Sequence, residues 1–344
     1  MKRDNLSIEG LRVILFFCIF LFHAWGEMFP LGWAGINTFL LITAFFITKK
    51  YMDKPITEVF VVKALKKRAI RLLPPYLAVI MAMTALFIVM YRQLPGDFFS
   101  YFLFAQTFQW EFVPETTQVP GVGHFWYLTL DFYLVMIWLF ILRFLPRRFI
   151  KSAFLLLLCF AVVYRSACTI YTNSITMSYT LPWGMIDAFA AGGLLAYISK
   201  TKKTVLPWTV LILGVIGFIA CIYITSVRFD VDIINALVYY STAQGYADSP
   251  ITVQIHLVMV LLSFFVVWLC VIERKHYNLL SNPRISKWGK HSYELYVFHY
   301  PIIWLLQIIT NNNFIIIFVG IIATFTITII WKRFVEPKVS LAFL

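Results

Sequence analysis

The chain reads as an all-α integral membrane protein of about ten transmembrane helices with both termini in the cytoplasm, and three observations predict this. Apolar residues make up 61% of the sequence and charged ones 13%, with a mean hydropathy of +0.82, outside the range of soluble globular chains. Apolar runs of the ~20 residues needed to cross a bilayer recur over 10–28, 32–49, 74–91, 123–143, 152–171, 183–199, 205–226, 251–272, 291–309 and 314–331. Basic residues are segregated between alternate connections. With the N-terminus inside, the segments 1–12, 49–71, 143–151, 200–203, 273–290 and 332–338 hold 26 of the 29 Lys and Arg, leaving Arg92, Arg165 and Arg228 elsewhere. That is the positive-inside bias, and it requires an even number of spans.

The same bias accounts for the net charge of +13, so no nucleic-acid partner is expected. The expected location is the inner (cytoplasmic) membrane, as one multi-pass domain over 1–344 without a fused soluble domain. A cleavable leader is not expected, because Arg12 interrupts the first apolar run and no small-residue cleavage site follows. Cys18, Cys159, Cys168, Cys221 and Cys270 fall in apolar runs without metal-ligand or disulfide spacing. They read as small core residues, and no metal is expected.

The first span carries Arg12 and His23. Eleven helical residues make about three turns, so the two side chains share a face, roughly 16 Å apart along the axis. An ionisable residue that deep in hydrocarbon is a functional candidate, although a histidine bonded to a neighbouring helix is the competing explanation. The second span is rich in small residues suited to close packing. The connection after it is the most basic in the chain and ends in Arg68-Ala-Ile-Arg71-Leu-Leu-Pro74-Pro75-Tyr76. Arg68 and Arg71 share a helical face, and the two prolines are expected to restart the chain at the third span. Anchoring to anionic head groups and bidentate phosphate binding both fit these arginines.

Residues 92–122 are expected to form an outer loop with an aromatic-rich helix over 98–112. His124 and Asp131 then open the fourth span from the outside, and Arg165 and Asp187 in the next two spans are placed to pair. A second outer loop, 227–250, is polar and rich in tyrosine. In the ninth span Ser292, Tyr296 and His299 form one stripe. An aromatic stripe packs as readily as it catalyses. The buried Arg, Asp and His residues also suit a transporter, but the sequence shows no internal repeat and no paired broken helices.

These motifs together resemble the membrane acyltransferase-3 family of bacterial enzymes that O-acylate cell-surface glycans and lipids. The Arg12–His23 spacing matches. Gly35-Ile-Asn37-Thr-Phe39-Leu-Leu-Ile-Thr43-Ala44-Phe45-Phe is similar to the family's Gly-Val-Asp-x-Phe-Phe-x-x-Ser-Gly-Phe-Leu, and Arg68 to Tyr76 to its Arg-x-x-Arg-x-x-Pro-x-Tyr. His124-Phe-Trp126-Tyr-Leu128-Thr-Leu-Asp131-Phe-Tyr133, Gly289 to Pro301, and Glu336-Pro337 complete the set in order. Asn37 and Asp131 stand in place of the usual acids, and Ala44 in place of a helix-packing glycine.

The resemblance implies an acetyl-CoA- or other acyl-CoA-dependent O-acetyltransferase acting on a polysaccharide, lipid-linked sugar or similar glycan acceptor within membrane lipid. Acyl-CoA is then a co-substrate and no metal is required. Arg12, Arg68 and Arg71 lie on the side where a polyanionic CoA arrives. His23 would be the base for the attacking hydroxyl or a relay that carries the acyl group. Tyr76, Trp126, Asp131, Ser292, Tyr296 and His299 would support it, and His124, Arg165 and Asp187 would stand on the acceptor side.

Overall fold

A computed structural model describes residues 4–52, 56–113, 115–172, 174, 177–201, 205–241, 249–273 and 280–338. The loop expected at 227–250 therefore lies partly outside the described residues. No strand occurs among the described residues. In chain order the helices are α1 Asp4–Ala24, α2 Gly35–Tyr51, α3 Glu58–Tyr91, α4 Gln106–Phe112, α5 Trp126–Phe144, α6 Arg147–Tyr171 and α7 Met177–Thr180. There follow α8 Ile186–Thr201, α9 Val205–Phe229, α10 Ile233–Tyr239, α11 Ile255–Trp268, α12 Pro283–Gly289, α13 Ser292–Ile309 and α14 Asn313–Ile330. Eight of the described helices (α1, α2, α3, α5, α6, α9, α11 and α14) are long and apolar enough to cross a membrane.

The other two expected spans, 183–199 and 291–309, are helical as α8 and α13. α8 is 16 residues long and carries Asp187, and α13 carries Glu294, His299 and Gln307 among its apolar residues.

The chain divides into two units. The first comprises residues 1–22, 26–56 and 130–289. Here α2 packs on α8 and α11, and α8 also packs on α6. Gly192 permits the α2–α8 approach, since a Cβ there would run into the Leu41 carbonyl and the Ala44 methyl. The small residue missing from position 44 is thus supplied by the facing helix. Trp138 of α5 stacks on Phe154 at 4.5 Å and donates its indole N–H to Thr48 Oγ1 at 2.9 Å.

The second unit comprises residues 23–25, 57–129 and 290–344. In it α13 packs on α14 and α3. One expectation fails here: α3 does not restart at the prolines. Capped by the Thr57 hydroxyl on the Phe60 N–H at 3.3 Å, it runs 34 residues through Pro74 and Pro75. At 1.5 Å per residue it is about 51 Å long, well beyond a ~30 Å hydrocarbon core. The prolines deprive the Ile70 and Arg71 carbonyls of their helical donors, and beside them the Tyr293 hydroxyl donates to the Leu72 carbonyl at 2.6 Å.

The segment after α3 is a built structure, with a 3₁₀ turn at Phe98–Leu103 followed by α4. Its hub is the fully buried Asp97. The carboxylate accepts from Tyr101 Oη, Trp110 Nε1 and the Val119 N–H, each at 2.9 Å. Tyr101 in turn accepts on its carbonyl from Tyr76 Oη at 3.0 Å. Gln106 Nε2 donates to the Phe125 carbonyl at 3.2 Å, which ties the segment to the turn that carries His124.

Burial pushes the Asp97 carboxyl above its ordinary range, and the donors Trp110, Tyr101 and Val119 draw it part of the way back. The folded state therefore holds this proton more tightly than the unfolded one. Its contribution is full below the ordinary carboxylate pKa and is lost as pH rises through the raised native value. Compared with the non-titrating Asp97→Asn, the wild type should lose thermal stability in detergent across that window. A difference that stays flat or grows would contradict the assignment. Asp97→Ala, which strands three donors, should destabilise by about 1–3 kcal/mol.

Candidate active site

The second unit gathers three histidines. His23 sits on the last turn of α1, His124 in the 3₁₀ turn Gly123–Phe125, and His299 in the middle of α13. Ring centroids lie 5.2 Å apart for His23–His299, 5.0 Å for His124–His299 and 6.4 Å for His23–His124. His124 and His299 are fully buried, while His23 is half-buried. Tyr300 packs on His23 at 4.6 Å and on His124 at 5.1 Å.

The backbone of α13 fixes two of the three imidazoles. Pro301 lies inside the helix and has no N–H, so the Val297 carbonyl four residues earlier loses its helical donor. One residue before, the Tyr296 carbonyl accepts from His299 Nδ1 at 2.6 Å and from His124 Nε2 at 3.1 Å. A carbonyl oxygen can only accept. The proton of His124 is therefore on Nε2 and that of His299 on Nδ1, which leaves lone pairs on His124 Nδ1 and His299 Nε2. His124 Nδ1 has no hydrogen-bond partner among the described residues. The contact is reciprocal, because Tyr296 Oη donates to the His124 carbonyl at 2.6 Å. Gln307 Nε2 reaches the His23 carbonyl at 3.4 Å.

Of the residues named from sequence, His23, His124, Tyr296 and His299 thus come together. Expected on the acceptor side, His124 proves to be part of the histidine cluster. Tyr76 is buried, stacked on Phe104 and Phe125 at 4.9 Å each, and supports the His124 turn. Trp126 is half-buried and Ser292 buried in the same unit. Arg71 is exposed on α3 and donates to the Lys290 carbonyl at 3.3 Å, and Arg68 is half-buried one turn earlier. Lys332 bridges the buried Glu294 at 3.1 Å and Glu336 of the terminal motif at 2.5 Å.

In the first unit Arg12 pairs with Glu9 at 3.2 Å, and Asp131 is buried on α5. Arg165 and Asp187 pair as their placement suggested, at 2.7 Å and fully buried. Arg165 also donates to the Gly184 carbonyl at 2.5 Å and to Gln254 Oε1 at 3.2 Å, and Asp187 Oδ1 accepts from the Ala188 N–H at 2.9 Å. Among the described residues no grouping of His, Cys, Asp and Glu has the arrangement of a metal site.

Sequence reasoning missed Tyr300, Asp97, Gln106 and His256. Tyr300 is one residue beyond the predicted stripe, in a run of aromatics that reads as packing. The buried His256 lies between Trp33 at 5.0 Å and Tyr179 at 5.4 Å.

A family model described as an acyltransferase domain, that of the acyltransferase-3 family, matches residues 5–332. The chain belongs to this family. Curated relatives include the O-acetyltransferase OatA of Staphylococcus aureus strains NCTC 8325 / PS 47, COL and MRSA252. Each is 23% identical over 324 residues, covering 86% of this chain and 50% of the relative. The chain therefore spans about half the length of the curated relatives it matches. No solved structure matches it. Within this acyltransferase chain the departure at Asn37 has a physical counterpart: its Nδ2 donates to the His256 carbonyl at 3.0 Å, a bond that an ionised acid cannot make.

A buried ion pair is most expensive when half removed. Arg165→Met or Asp187→Leu alone should each destabilise by about 3–5 kcal/mol. In a double-mutant cycle read by thermal unfolding, the double variant should lose less than the sum by more than about 1 kcal/mol. Additive losses would show that the pair is not coupled.

Proposed function

We propose that this chain is an integral-membrane O-acyltransferase that transfers acetyl, or another short acyl group, from cytosolic acyl-CoA to a hydroxyl of a cell-envelope glycan or lipid-linked sugar. The observation that carries the reading is the cluster of three imidazoles, two of them held by the Tyr296 carbonyl, in a chain of the acyltransferase-3 family. His23 is the half-buried member and so the one that meets substrate. In the proposed step its imidazole accepts the acceptor hydroxyl proton as that oxygen attacks the thioester carbonyl. The tetrahedral intermediate then expels the thiolate, the C–S bond breaks, and the proton passes to sulfur to give free CoA. His299 and His124 act as positioning residues. Their tautomers are set, so the His124 Nδ1 lone pair that would steady an imidazolium at His23 is held in place before the reaction begins.

Arg68 and Arg71, on the turn of α3 before Pro74, are proposed to hold the CoA phosphates. The positive-inside count puts them and both termini in the cytoplasm of an inner-membrane protein. Arg165 and Asp187 are proposed to stiffen the first unit beneath the acceptor-side loops. A donor bound inside and an acceptor presented outside would spare the cell from exporting CoA.

His23→Ala should lower transfer by about 10²–10⁴-fold with little change in thermal stability. Activity within a fewfold of wild type would reduce His23 to a packing residue. Tyr296→Phe, which loses only the bond to the His124 carbonyl, should lower kcat by roughly 10- to 100-fold while leaving KM for acetyl-CoA unchanged. Arg68→Gln with Arg71→Gln should instead raise KM for acetyl-CoA, and more for CoA than for dephospho-CoA, in protein whose insertion is verified by a topology reporter. Sealed vesicles of known orientation test the sidedness. Product should form with acetyl-CoA on the cytoplasmic face and acceptor on the outer face; product only when both share the cytoplasmic face would refute it.

A further inference from the structure

A cleft of about 390 Å³ opens in the first unit, well away in sequence from the histidines, lined among others by Tyr51, Leu142, Arg143, Phe144, Ile150 and Tyr197. These residues belong to the C-terminal parts of α2, α5 and α8 and the first turns of α6. The rim is cationic. Arg143 lines the cleft itself, Lys50 stands 5.4 Å over the Tyr51 ring, and Lys151 stands 5.4 Å over the Tyr197 ring. No carboxylate lines it among the described residues. An ammonium held over an aromatic wall keeps its charge close to the cleft while its stem covers apolar surface.

A second feature says what kind of anion fits. Phe144, a wall residue that is 59% exposed, packs at 4.6 Å on Phe140, one turn away on α5 and 63% exposed. A charged recess therefore continues into an apolar ridge on a helix long and apolar enough to span a membrane. A ligand that uses both features has an anionic head and a hydrocarbon tail. The nucleotide of CoA shares the phosphate chemistry but has no group to lay along that ridge.

We propose that this cleft binds an anionic phospholipid, with its headgroup phosphate on Arg143 between Lys50 and Lys151 and an acyl chain along Phe144 and Phe140. The assignment rests on the cleft alone and is independent of the acyl-transfer reading.

The full chain in neutral detergent can be titrated with dioctanoyl phosphatidylglycerol, dioctanoyl phosphatidylcholine or CoA, with the thermal midpoint as readout. Phosphatidylglycerol should raise the midpoint at concentrations at least about tenfold below those of phosphatidylcholine. Arg143→Gln with Lys151→Gln should raise the half-saturating phosphatidylglycerol concentration by about 25-fold, at roughly fivefold per cation, without changing the lipid-free midpoint. Equal responses to the two lipids, or an unshifted titration in the double variant, would overturn the proposal. Displacement of phosphatidylglycerol by CoA would also overturn it, marking a nucleotide site instead. A second measurement, independent of how the double variant inserts, uses wild type only. Photoactivatable phosphatidylglycerol should label residues 142–145, and labelling confined to other segments would contradict the site.

Discussion

A carbonyl oxygen has lone pairs and no proton, and the Tyr296 carbonyl takes an imidazole N–H from His299 and another from His124 at once. The tautomers of both rings follow from that fact together with the position of Pro301, which disturbs the helix at this point. The Asp97 network holds the turn that presents His124, through Tyr101, Tyr76 and the Gln106 bond to Phe125. A substitution at Asp97 can therefore reach the histidines without touching them, by loosening the turn on which one of them rides.

The two buried polar clusters differ in a way that separates chemistry from architecture. Around Arg165 the described donors and acceptors answer one another. The guanidinium faces Asp187, the Gly184 carbonyl and Gln254, whose own amide N–H group serves the Val162 and Pro250 carbonyls and the Ser166 hydroxyl. A saturated network rigidifies its surroundings and has little left to offer a substrate. The histidine cluster ends instead at His124 Nδ1, whose lone pair has no hydrogen-bond partner among the described residues. In an apolar setting that is costly unless it serves a purpose, and the proposed steadying of an imidazolium at His23 would be such a purpose.

Much of this was legible in the sequence, because membranes impose strong rules. Hydrophobic length located the helices, basic asymmetry gave a topology to test, and the i, i+4, i+7 spacing put Tyr296 and His299 on one stripe. The Arg165–Asp187 pair was legible for a related reason, since two opposite charges in neighbouring spans have nowhere better to go. What escaped was whatever depends on the path of the backbone. Asp97 lies in a stretch that reads as an outer loop with an aromatic-rich helix, and only the return of Val119 and Trp110 to its carboxylate makes it a hub. Pro74 and Pro75 carry a strong local signal for a helix start. Tertiary contacts, among them Tyr293 on Leu72, accompany a continuous α3 instead.

Two helices, α8 in the first unit and α13 in the second, carry Asp187, Glu294 and His299 within apolar runs. A transmembrane helix free in lipid is stabilised by uniform apolarity, whereas chemistry requires groups that lipid rejects. The conflict is resolved when such helices are enclosed by protein. In α13 Glu294, Tyr296 and His299 are all buried, and Asp187 of α8 has no exposed surface. By contrast, α6, α9 and α14 face outward with long rows of exposed apolar side chains. Acidic and histidine residues inside an apolar run thus mark the helix faces that protein must surround, and those are where polar chemistry is to be sought.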